Sequence, residues 1–162
     1  MNHEQAESAR ALESYRVRRG QGFFPSKVRE LPGRYGQEEV PREAVVIHLH
    51  YVGPEAHWWI AEVWESPEEP GTWEAYGYVS IYPCEAPEWC HISLTELERV
   101  SLAFPVRPVD SSRPYEHPAN MRAYIERDVD WSPRPAHECV PGLLPPRELI
   151  DAAPAGQQGR RR

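Results

Sequence analysis

A chain of 162 residues, 40% hydrophobic and 27% charged, suits one soluble domain that buries roughly two-thirds of its unfolded surface. Its formal charge of −7 becomes −10 without the terminal Arg160-Arg161-Arg162 (−7 minus 3), which works against anionic membranes and nucleic acid. Eighteen prolines predict a loop-rich protein with short regular elements.

No run reaches the ~20 apolar residues of a membrane span, and the polar start from Met1 to Arg10 predicts no secretory signal. Three scattered cysteines, Cys84, Cys90 and Cys139, suit reduced thiols, so a cytoplasmic location is expected.

In chain order, Asn2 caps a predicted N-terminal helix that runs to about Arg19, with Gly20 as its stop. A short second helix is expected over Ser26 to Leu31. These elements make residues 1–30 a helical extension. Alternating apolar residues then predict a strand over Val45 to Val52, a turn at Gly53 to Ala56, and a returning strand from His57 to Trp64. Trp73 to Tyr82 and Glu88 to Ile92 continue the pattern.

Ser93-Leu94-Thr95-Glu96 has capping-box spacing, with Ser93 and Glu96 starting a helix that turns Leu94, Leu97 and Val100 inward. A last strand is expected over Ala123 to Trp131. From 134 to 162 the prolines predict a largely irregular tail, with a weak helix near Arg147 to Ala152. The expected fold is therefore α+β, an antiparallel meander of four to five strands over residues 31–133 with a short helix packed on one face.

From Glu43 to Glu98 there are eleven glutamates and five of the six tryptophans, but no lysine or arginine. Phosphate backbones are held through Lys and Arg, so this block argues against nucleic-acid binding by the core. Its aromatic residues supply the apolar surface of a core.

Several pieces in this order resemble a known family. They are Leu31-Pro32 with Tyr35, Val45-Val46, Trp58-Trp59-Ile60-Ala61-Glu62, Tyr76-Gly77-Tyr78-Val79, Ile92-Ser93-Leu94-Thr95-Glu96-Leu97-Glu98 and Ile125-Glu126-Arg127-Asp128. Together, over Leu31 to Pro133, they resemble the bacterial domain of unknown function 2958. The chain departs from that pattern at His48-Leu49-His50 and in a longer connection from Glu98 to Ile125. The resemblance implies no established activity, only an accessory role on plasmids and other mobile elements.

Strict alternation in the first hairpin puts Ile47, Leu49, Tyr51, Trp58, Ile60, Glu62 and Trp64 on one face, and Val46, His48, His50, Val52, His57, Trp59, Ala61 and Val63 on the other. The first face reads as core with one misfit, Glu62. Arg127 is the matching misfit of the last strand. Because a buried charge is tolerated mainly when paired, a Glu62–Arg127 ion pair is expected.

His48, His50 and His57 share the opposite face and are the candidate metal ligands, since zinc suits three imidazoles and a water. Glu126, Asp128 and Asp130 form a candidate acidic face, read first as solvated and second as a divalent-cation site. Cys84, Cys90, His91, His137 and Cys139 lack zinc-finger spacing.

No nucleophile elbow, phosphate loop or dinucleotide fingerprint occurs. The reading that follows is a non-enzymatic accessory protein, without a cofactor, acting by protein–protein contact. Its rivals are a metal-dependent enzyme and an acidic DNA mimic. Three arginines at a chain end would give nucleic acid only weak, salt-sensitive affinity.

Overall fold

The structure, a computed structural model, describes Arg16 and residues 20–81, 86–105 and 120–147. The expected N-terminal helix (apart from Arg16), Cys84, the expected helix near 147–152 and the terminal arginines lie outside the described residues, except Arg147 itself.

The architecture is mostly sheet with few helices, consistent with α+β. Its elements are a 3₁₀ turn at Val28–Glu30, β1 (Val46–Ile47), β2 (Leu49–Gly53), β3 (Ala56–Glu65), β4 (Trp73–Ile81), β5 (Glu88–Ser93), α1 (Leu94–Arg99), β6 (Ser101–Pro105), β7 (Asn120–Tyr124), β8 (Glu126–Arg127), β9 (Arg134–Pro135) and α2 (Ala136–Cys139). Strands β2 to β5 form the meander, and β8 adds to the free edge of β2. The five-stranded antiparallel order is β5-β4-β3-β2-β8. Two two-stranded pairs, β1 with β9 and β6 with β7, complete the pairing.

The first hairpin has the expected register, with Val52 opposite His57 and His50 opposite Trp59. Pro54 and Glu55 make its turn, Glu55 adopting a left-handed φ of 58°. At α1, Ser93 Oγ accepts the Glu96 N–H at 3.4 Å, and Leu94 and Leu97 are buried.

Two interruptions of the alternation overturn the single-face core. Ile60 pairs with Gly77 but Glu62 pairs with Tyr76, so Ala61 is the extra residue of a β-bulge. Before the bulge Trp58 and Ile60 face the first cluster; after it Val63 does, and Glu62 and Trp64 change sides. The break at His48 between β1 and β2 does the same, placing Ile47 and Leu49 in different clusters.

The sheet is consequently buried on both faces. One face carries Leu49, Tyr51, Trp58, Ile60, Val63, Ala75 and Ile92 under Phe23, Leu94, Leu97 and Ile125. The other carries Trp59, Ala61 and Tyr78 under Val45, Ile47, Ala136 and Val140.

Both expected end regions therefore contribute to the core. Phe23 is fully buried, and its carbonyl accepts the Tyr51 hydroxyl at 2.9 Å. The stretch expected to open an irregular tail pairs with β1 and buries Ala136 and Val140.

Candidate functional site

Glu62 sets up the first candidate site. The bulge turns it onto the second face, where it is 2% exposed. Its carboxylate accepts the Tyr35 N–H at 2.9 Å and the Gln37 N–H at 2.8 Å. Gln37 answers with its side chain, donating to the carbonyls of Ala61 (3.0 Å) and Val46 (3.1 Å) and accepting the Val46 N–H at 2.7 Å. Backbone amides thus do what a cation was expected to do. Arg127 donates from Nε to the Gly22 carbonyl at 3.0 Å, and no Glu62–Arg127 pair forms. The expectation failed because it assumed an unbroken β3.

Held this way, the loop before Gln37 displays Arg34 and Tyr35. Tyr35 has a left-handed φ of 64° and is 53% exposed. Its ring lies 6.1 Å from that of Tyr76, which in turn is 4.9 Å from Trp64 and 5.6 Å from His91. Trp89 extends the row, 6.3 Å from Tyr76. Trp64, Tyr76 and Trp89 are half-buried and His91 is exposed, so the group is an aromatic strip open to solvent.

Cations from outside the acidic block come to rest on its rings. Arg34 lies 4.8 Å from the Tyr35 ring centre and 5.7 Å from that of Trp64; Arg42 is 4.1 Å from Trp89 and Arg29 is 4.9 Å from Trp73. All are within the range of cation–π attraction. The hydroxyls of Tyr76 and then Tyr35 hold the Arg34 guanidinium above its ordinary pKa. Beside the strip, Glu74 Oε2 is buried and accepts no hydrogen bond among the described residues. His91 Nε2 lies 3.0 Å from it, near enough for an ion pair but without hydrogen-bond alignment.

The second candidate site is at the β2–β8 end of the same face. His50 Nδ1 is 3.1 Å from Asp128 Oδ2, and His50 Nε2 is 3.1 Å from His57 Nδ1. The imidazole planes are within 3° and their centres 5.3 Å apart. With the nearest nitrogens at 3.1 Å, the rings lie edge to edge, as an N–H···N bond requires. An ionised Asp128 assigns the His50 proton to Nδ1, so Nε2 accepts from His57 and the lone pair of the chain falls on His57 Nε2.

Trp59 lies against both imidazoles, at 5.5 and 5.3 Å, and Trp131 against His50 at 4.8 Å. Burial lowers the pKa of His50, outweighing the hydrogen bond to Asp128 that raises it.

The expected histidine trio does not assemble. His48 falls in the break between β1 and β2, where burial lowers its pKa, and no group of three metal-binding side chains occurs among the described residues. The expected acidic face is also divided. Glu126 pairs with Arg16 at 3.3 Å, Asp128 joins His50, and Asp130 uses its backbone N–H to cap Asp128 Oδ1 at 3.1 Å. The strand expected to continue to Trp131 ends at Arg127, so Asp128 and Asp130 lie beyond it.

A recess of about 590 Å³ between Pro41 and Arg147 touches neither site. No helix among the described residues is long and apolar enough to cross a membrane. Comparison with known protein families, curated proteins and solved structures finds no match to this chain.

Proposed function

We propose that this is a non-enzymatic binding protein that recognises a protein partner through the strip of Tyr35, Trp64, Tyr76, His91 and Trp89. The observation that carries the reading is an open row of aromatic rings with arginines laid over it. Tyr, Trp and Arg are the residues that dominate binding energy at interfaces. The mobile-element setting implied by the motif resemblance suits an accessory role of this kind. Less supports the DNA-mimic reading, because the nearby carboxylates are engaged or buried rather than rowed at the surface: Glu62 is held by backbone amides, Glu65 by Arg29 and the Gly71 N–H, and Glu74 Oε2 is buried.

Panning a random peptide library against the purified protein tests the proposal. Binders are expected to lose affinity to Tyr35→Ser and Trp64→Ala variants whose circular dichroism is unchanged. A library that yields no binder dependent on these residues would overturn it.

A second reading, an acid–base enzyme, is favoured by the Asp128–His50–His57 chain, which ends in a basic nitrogen. Turnover of an activated ester by wild type, abolished in His57→Gln, would favour it over binding. Equal rates in the two proteins would remove it.

A further inference from the structure

We propose that the tray formed by Tyr35, Trp64 and Tyr76 beside the Glu74 carboxylate is a receptor for an arginine side chain of the partner, occupied in the free protein by Arg34, which the incoming guanidinium displaces. This rests on the binding reading above and names the partner's chemistry.

Three observations converge on it. Arg34 already lies over two rings of the tray, so a guanidinium fits there. It makes no ion pair among the described residues, and its side chain is exposed. It is a tethered, replaceable occupant rather than a locked part of the core.

Glu74 supplies the second element, a buried Oε2 without a hydrogen bond among the described residues, with the 54%-exposed His91 3.0 Å from it. A guanidinium offers a planar fork of donors that suits a carboxylate, whereas a ring face attracts any cation. Glu74 and Trp64 are direct partners across β3 and β4, and His91 contacts the Trp64 and Tyr76 rings, so carboxylate and tray are contiguous.

Charge is the third. The chain carries −7, and Trp64, Tyr76 and Glu74 come from the span Glu43 to Glu98, which holds no lysine or arginine, so Arg34 from outside it is the cation over the tray. Such a surface draws basic partners and repels acidic ones.

The rival occupant is an acidic segment recognised by Arg34, and the two predict opposite effects of removing that arginine. The experiment titrates wild type, R34Q, Glu74→Gln and Tyr35→Ser with a capped hexapeptide alternating glycine and arginine. Lysine, citrulline and glutamate counterparts serve as controls, and tryptophan fluorescence and isothermal calorimetry as readouts.

The arginine peptide should bind and the citrulline and glutamate peptides should not. R34Q should tighten binding about two- to fivefold, because the competing solvent-exposed stacking of Arg34 on Tyr35 and Trp64 is lost. Tyr35→Ser and Glu74→Gln should weaken it. Weaker or unchanged binding by R34Q, or preference for the glutamate peptide, would overturn the proposal. If library peptides still bind through Trp64 while the arginine peptide does not, the receptor idea falls and the binding face stands; if nothing binds, both fall.

Discussion

Glu62 and Gln37 hold each other across the bulge of β3. The Glu62 carboxylate accepts the Gln37 N–H at 2.8 Å, and the Gln37 amide donates at 3.0 Å to the carbonyl of Ala61, the extra residue. The Glu62 carboxylate satisfies the Gln37 backbone N–H, and the Gln37 side chain satisfies the carbonyl of the residue before Glu62. The same carboxylate holds Tyr35, so the clamp also positions the aromatic strip.

Removing this carboxylate should therefore be costly. Glu62→Ala strands two N–H donors, that of Gln37 buried and that of Tyr35 part-buried, and is expected to lose about 3 kcal/mol, with Glu62→Gln losing roughly half because one oxygen remains. Arg127 belongs to another network, so a double-mutant cycle between Glu62 and Arg127 should show coupling below about 0.5 kcal/mol. Urea unfolding of the four proteins measures both quantities. Strong coupling would restore the ion pair.

Gly77 is the partner of Ile60, next to the bulge. A Cβ there would overlap the Trp59 carbonyl oxygen and reach the Ile60 Cα at 3.0 Å, both backbone atoms that cannot swing away. Gly77→Ala should cost about 3 kcal/mol by overpacking. Gly33→Ala, where nothing lies within 4 Å, should be neutral or slightly stabilising. Thermal unfolding compares the two directly.

These two residues show where the sequence is readable and where it is not. The hairpin register was legible because it depends on local alternation and a short Pro-Glu turn. The bulge was not, because it is fixed by Gln37, 24 residues before Ala61, and by a close approach that only glycine permits. One extra residue reverses the facing of Glu62 and Val63, and the Glu62–Arg127 pair expected from strict alternation does not survive that reversal. The block without cations was equally legible as composition. That Arg29, Arg34 and Arg42 would stack on its rings from outside could not be read from spacing. His50 and His57 stand in one candidate group and Asp128 in another, because nothing in the sequence announces that β8 docks beside β2.

The two described cysteines, both half-buried against the core, should behave as inert thiols. Burial raises the pKa of Cys90, and pushes that of Cys139 up to about 11. Cys139 Sγ also donates to the Pro135 carbonyl at 3.4 Å. Thiolate, the reactive form, is therefore scarce at pH 8. Iodoacetamide labelling followed by peptide mass mapping should leave Cys139 unmodified in native protein and label it in urea. Rapid native labelling of Cys139 would contradict its burial.

Acid should weaken the sheet edge that carries the histidine chain. Burial makes the neutral form of His50 the preferred one in the fold, with its pKa below the ordinary 6.5, and His48 is lowered for the same reason. Around pH 6.5 and below, the unfolded chain binds protons that the folded chain refuses, so stability falls as pH drops. The contribution is fully present above the unfolded value and lost toward the lowered folded one. Asp128 opposes this by favouring a cationic His50, whereas His57 and Arg134 reinforce it. Protonating both imidazoles would also set two N–H donors against each other across the 3.1 Å His50–His57 contact. Melting temperature should thus decline by several degrees from pH 7.5 to pH 5, and His50→Gln should flatten that decline while lowering stability at pH 7.5. A wild-type curve flat over this range, or an unchanged slope in His50→Gln, would refute the assignment of His50 as the neutral link between Asp128 and His57.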